Sequence, residues 1–206
     1  MQSFGRRPNG TAKMPHEEVL SELISAECPI EWAFANLTHV DSGTAASIFD
    51  HPNEPGLVLR VSDYPDGWFR YADETLSLDV EEANRCSFRP VVHWMGDIDG
   101  ILVAVTERLE PIDSGTPLAT AVEAAMAALS GDEERWLDVE RDAPGFRAFC
   151  SKLAGRLDLR PTNFLRRGDQ LVFNDPYSAI PFAMEDSLRE RYRIGGNAPT
   201  RKLPSP

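Results

Sequence analysis

The spacing of apolar residues changes period partway along the chain, and this limits the folds open to it more than any other feature. Residues 46–50 and Leu57–Ser62 (LVLRVS) have strand character and flank H-P-N-E-P-G, a turn built from Pro, Asn and Gly. Two further strands are predicted at 91–94 and 101–106, joined through Asp97-Ile98-Asp99-Gly100, with a helix over 68–84 before them. D-I-D-G lacks the remaining ligands of a calcium loop and ends in the Asp-Gly step of tight hairpins, so a turn is expected there. Beyond Glu107 the period becomes helical. Leu118, Val122, Ala125, Met126 and Leu129 share one face over Pro117–Leu129, and 133–154 continues the pattern with a break at Pro144-Gly145. A short hairpin follows at 164–165 and 171–173, turned at Arg167-Gly168-Asp169, and 183–193 reads as a closing helix.

Strands first and helices later predict an α+β fold with two segregated lobes, a strand-rich one over 14–108 and a helix-rich one over 109–194. Before the strands, 17–37 reads as a helix broken near Pro29. The Gly-, Pro- and charge-rich ends, 1–13 and 195–206, read as loose tails.

Composition narrows the function classes. The net charge of −12 opposes nucleic-acid binding, which needs concentrated Lys and Arg. No apolar run is long enough to span a membrane, and the first residues carry no apolar signal core, so a soluble, cytoplasmic protein is expected. Cys28, Cys86 and Cys150 lie far apart and read as small buried apolar residues, while His16, His39, His51 and His93 have no metal-ligand spacing.

The segment richest in chemistry is Asp158-Leu159-Arg160-Pro161-Thr162-Asn163, followed by the hairpin and Asp175. D-L-R-P-T-N resembles the protein-kinase catalytic loop D-L-K-P-x-N, and Asp175 stands where kinases place the acid of D-F-G. Phosphoryl transfer needs an Asp at the acceptor hydroxyl, an Asn on a metal and a second Asp bridging metal and phosphates, and these three residues supply those types in that order. Upstream, Ser42-Gly43-Thr44-Ala45-Ala46-Ser47-Ile48-Phe49 resembles the glycine-rich loop, and Leu57-Val58-Leu59-Arg60 falls where V-A-I-K stands. Val103 to Leu109 resembles the strand that leads into the hinge.

The resemblance covers roughly residues 38–178 and is closest to compact bacterial or phage kinase-like proteins. It implies a minimal protein-kinase-like fold, with an antiparallel small lobe carrying one helix and a truncated second lobe. It also implies ATP between the lobes and magnesium on Asn163 and Asp175. Asp158 would orient or deprotonate a hydroxyl on a protein or small molecule. Gly43, Ile48 and Arg60 would meet the nucleotide, Glu74 (or Glu81 or Glu82) would pair with Arg60, and the backbone near Glu107 to Leu109 would receive the base.

The sequence departs from that pattern at several points. Arg60 replaces the usual Lys, the glycine loop keeps only Gly43, Arg156-Leu157-Asp158 replaces H-R-D, and Asp175-Pro176-Tyr177 replaces D-F-G. Only residues 176–206 follow Asp175, too few for the usual late helices. Three functions fit such a chain: a phosphotransferase, a pseudokinase acting as a binding or regulatory module without turnover, and an interaction protein in which none of this chemistry operates.

Overall fold

Hydrophobic alternation on one strand explains the layering of the whole sheet. The computed structural model describes residues 17–43, 46–64, 66–78, 87–153, 157–177 and 182–194. In β5 (Ile101–Glu107), Val103 and Val105 point to one face and Leu102 and Ala104 to the other, and all four are buried. A strand covered on both faces can be apolar at every position, which is why I-L-V-A-V reads as an unbroken run. On one face α1 (Glu17–Ser25) and α2 (Pro29–Asn36) place Val19, Leu20, Leu23 and Ala33 against Phe49, Leu59, Val61, Trp94, Val103 and Val105. On the other face α3 (Gly67–Leu76) lays Trp68, Phe69 and Ala72 on Val92, Met95, Leu102 and Ala104.

Among the described residues the strands form two sheets. β1 (His39–Ser42), β2 (Ser47–Asp50), β3 (Leu57–Ser62), β5, β4 (Val92–Ile98) and β9 (Arg193–Ile194) lie in the spatial order β1-β2-β3-β5-β4-β9. All neighbours in it pair antiparallel except β4 and β9, which are parallel. A second sheet holds β6 (Glu110–Pro111), β7 (Phe164–Arg167) and β8 (Gln170–Phe173). The β4–β5 turn has φ of 50° at Asp99 and 90° at Gly100, and the Gly100 amide donates to Asp97 Oδ1 at 2.7 Å. Positive φ at both central residues is the tight hairpin that Asp-Gly favours.

The helical elements bury a third cluster. Here α4 (Pro117–Leu129), α5 (Trp136–Asp142) and α6 (Phe146–Cys150) supply Val122, Ala125, Trp136, Val139, Phe146 and Phe149. The hairpin contributes Phe164 and Phe173, stacked across β7 and β8 with centroids 4.2 Å apart. Among the described residues no helix is long and apolar enough to cross a membrane.

Several details differ from the sequence reading. Helix α3 ends at Leu76, short of the expected 84, and 79–86, with Glu81, Glu82 and Cys86, lies outside the described residues, as do both expected tails. β1 carries four exposed residues, H-V-D-S, and so left no alternating signal. Cys150 is buried as expected and burial pushes its thiol up to about 12, whereas Cys28 is only half-buried. The closing helix, α7 (Phe182–Tyr192), which the sequence places in the 109–194 half, makes described contacts to the six-stranded sheet and to α3. Arg189 reaches Asp97 at 3.2 Å, Arg191 reaches Asp73 of α3 at 2.6 Å, and β9 continues onto β4.

One arginine joins the two sheets. Arg167 on β7 donates to both carboxylate oxygens of Glu107 and to the carbonyls of Ser87 and Arg89 at 3.1 and 2.9 Å. Arg167→Met strands a largely buried Glu107 carboxylate without its countercharge, and it should lower unfolding stability by about 2 kcal/mol, read as an earlier urea midpoint at unchanged slope.

Candidate functional site

Backbone hydrogen bonds bring the three sequence-predicted polar residues together. Pro161 opens a single 3₁₀ turn, Pro161–Asn163, which delivers Asn163 to the start of β7. The Asn163 side-chain amide donates to the Asp158 carbonyl at 3.0 Å, and the Asn163 carbonyl accepts from the amides of Asn174 at 2.8 Å and Asp175 at 3.4 Å. The Asp158 amide donates to the Pro176 carbonyl at 2.8 Å, and Leu157 bridges to Tyr177. These bonds tie 157–158, 163 and 174–177 into one knot beside the end of β8.

Arg60 approaches that knot from the other sheet. It sits in the middle of β3, opposite Ile48 on β2 and Ala104 on β5, and directly opposed residues share a face. Its Nη2 pairs with Asp66, the N-cap of α3, and lies 3.8 Å from Asp175 Oδ2. The Trp68 ring stands 4.8 Å from the guanidinium carbon. Gly67 lets the two halves close, since a Cβ there would stand 2.2 Å from the Tyr177 carbonyl oxygen.

Not every expected residue joins this group. Glu74 does not pair with Arg60. It accepts from Arg70 Nε and from the Tyr177 hydroxyl, each at 2.9 Å, because α3 presents its N-terminus, and so Asp66, to Arg60, while Glu74 lies two turns further along the helix. Gly43 lies in the β1–β2 turn, where its amide donates to Ala46 at 2.8 Å. Among the described residues a Cβ would meet only that carbonyl, at 3.8 Å. Glu107 and Leu109 lie at the Arg167 end of the hairpin, where the amides of Glu107 and Arg108 already donate to Val91 and Gly56. Sequence reasoning missed Asp66, Gly67 and Trp68. The D-G-W step at the head of the helix was the available signal, an N-cap acid one turn after Arg60.

Electrostatics single out Asp175. Burial pushes its carboxyl up to about 7, Arg60 opposes this, and the nearby Asp66 and Asp158 carboxylates reinforce it. Its Oδ1 and Arg60 Nε are both buried without a hydrogen-bond partner among the described residues. Asp158, by contrast, has Arg160 Nε at 3.2 Å. No group of three or more His, Cys, Asp or Glu among the described residues could cage a metal ion by itself. Magnesium, however, takes one or two protein oxygens and fills its octahedron with phosphates and water. The Asp175 carboxylate and the Asn163 amide oxygen, whose nitrogen is spent on Asp158, are donors of the right type.

The raised Asp175 value has a definite sign. Between about pH 4 and pH 7 the folded chain holds a proton that the unfolded chain releases, so stability falls as pH rises through that window and stays reduced above it. Asp175→Asn should therefore raise the melting temperature by several degrees at pH 8, on the order of 2 kcal/mol, and by much less at pH 4.5. A carboxylate that served chiefly to stabilise Arg60 would give a lower melting temperature at both pH values.

No protein-family model matches the sequence, and no curated protein matches it. Among solved structures the chain is similar to those of a thermostable mutant of aminoglycoside phosphotransferase APH(4)-Ia. The apo form gives a TM-score of 0.38 at 10% identity over 68% of this chain and 67% of that one. An Asp-to-Ala variant in ternary complex with ADP and hygromycin B gives 0.33 at 14% identity, over 56% of this chain and 37% of that one. An Asn-to-Ala variant with AMP-PNP and hygromycin B gives 0.30 at 17% identity, over 52% of this chain and 33% of that one. The chain thus spans about a third of the length of the two ternary-complex structures. At these scores the similarity is too slight to fix a fold, and any functional reading rests on the geometry of the site.

Proposed function

We propose that this chain is a protein-kinase-like protein that binds Mg-ATP between the six-stranded sheet and the β7–β8 hairpin. The observation that carries this reading is the convergence of Arg60, Asp158, Asn163 and Asp175, with a buried Asp175 oxygen lacking a hydrogen-bond partner among the described residues. An unpaired buried acceptor costs free energy, and a bound cation would offset that cost. In this reading Asp175 and Asn163 hold magnesium, which neutralises phosphate charge when bound. Arg60 faces the phosphates from the sheet, and Ile48, opposite it on β2, offers an apolar side chain on the same face. Asp158 orients the acceptor hydroxyl and takes its proton as the phosphoryl group transfers. Its carboxylate is partly buried with Arg160 at 3.2 Å, and in this reading it serves the acceptor rather than magnesium.

A second reading, nucleotide binding without turnover, is favoured by the prior commitment of Arg60 to Asp66. One set of measurements separates the two. Saturating Mg-ATP should raise the melting temperature of the unmodified chain by about 5 °C through mass action. Asp175→Ala should abolish that shift. Asp158→Ala should keep the shift and lose transfer of the γ-phosphate. A shift in the unmodified chain with no transfer to any hydroxyl acceptor supports the second reading, and no shift at millimolar Mg-ATP overturns both.

A further inference from the structure

We infer that Asp66 and Trp68 are the residues that position Arg60 for an anionic ligand, the part that Glu74 was expected to play; this rests on the nucleotide-binding reading. The Asp66 carboxylate is fixed from two sides. One oxygen accepts from the Phe69 amide at 3.2 Å as the N-cap of α3, and the other pairs with Arg60. Two residues on, Trp68 sets its ring 4.8 Å from the guanidinium carbon and is itself fully buried. A planar guanidinium can lie flat on an aromatic ring while its edge donates to a carboxylate, a geometry that a compact tetrahedral ammonium does not reproduce. The head of α3 is therefore a cradle matched to arginine.

Two further observations point the same way. Arg60 Nε is buried and unpartnered among the described residues, and the 3.8 Å to Asp175 is an attraction between charges, too long for a hydrogen bond. The cradle thus holds the guanidinium without using all its donors, next to a carboxylate that is also unsatisfied. Meanwhile Glu74 is occupied elsewhere, with Arg70 and the Tyr177 hydroxyl at 2.9 Å and Arg89 at 4.0 Å. One acid of the helix aims Arg60, and another anchors the 175–177 turn through Tyr177.

The test uses the full chain with Mg-ATP as the probe, reading Kd by calorimetry and melting temperature in parallel. Asn and Ser both cap helices, so Asp66→Asn and Asp66→Ser remove the charge and keep the cap. Glu74→Gln keeps an acceptor for Tyr177. Arg60→Lys keeps the charge and loses the planar fit. We expect Asp66→Asn, Asp66→Ser and Arg60→Lys each to raise Kd about tenfold, the size of one charge-assisted contact, and Glu74→Gln to change it less than about twofold. The inference is overturned, with nucleotide binding intact, by Arg60→Lys binding as tightly as the unmodified chain or by Glu74→Gln losing as much affinity as the Asp66 variants. A lower melting temperature with unchanged Kd in the Asp66 variants also overturns it, since that is a purely structural role. No binding by the unmodified chain removes the nucleotide reading and this inference together.

Discussion

A positive charge in the middle of a sheet buried on both faces has to be compensated within a few ångströms, and Arg60 is that charge. Neighbouring strands β2 and β5 supply Ile48 and Ala104, neither of which carries charge. The compensation must come from outside the sheet: Asp66 at the head of α3 pairs with Arg60, while Asp175 at the end of β8 lies 3.8 Å away, where the cost of burying its own charge outweighs the attraction. Because each acid belongs to a different element, the same electrostatic requirement that keeps Arg60 in place also registers the helix and the hairpin against the sheet.

The two acids beside the knot then acquire different surroundings. Asp158 keeps Arg160 as a neighbour at 3.2 Å, while burial pushes the Asp175 carboxyl up to about 7. Asn163 links them without carrying charge. Its side chain reaches the Asp158 backbone and its carbonyl collects the amides of Asn174 and Asp175, so moving any one of the three shifts the others.

At the far end of the hairpin, Arg167 clasps Glu107 and two backbone carbonyls of the segment before β4. The two sheets are thus joined at both ends of the hairpin, by Arg167 on one side and by Arg60 with the Tyr177 to Glu74 hydrogen bond on the other. This double attachment fixes how the two sheets sit against each other. Beside Arg167, the Glu107 and Arg108 amides donate to the carbonyls of Val91 and Gly56.

Local pattern was enough to specify the elements themselves. Apolar period and turn residues located β2, β3, β5, α4 and the β7–β8 hairpin, because these depend on near-neighbour preferences: Asp-Gly for the β4–β5 turn, Pro at the start of α2 and α4, Gly168 between β7 and β8. The order and spacing of Asp158, Asn163 and Asp175 also lay in the sequence, since their knot closes through one short hairpin. Which acid met Arg60 did not. The sequence pointed first to Glu74, with Glu81 and Glu82 as alternatives, and only the packing of α3 on β4 and β5 turned its N-terminus, and so Asp66, toward the guanidinium. The strands β1 and β9 likewise carry too little apolar signal to be read alone and exist because a neighbouring strand offers free backbone groups to pair with. Near-neighbour chemistry is written along the chain, whereas the pairing of charges distant in sequence is set by the tertiary geometry that brings their elements together.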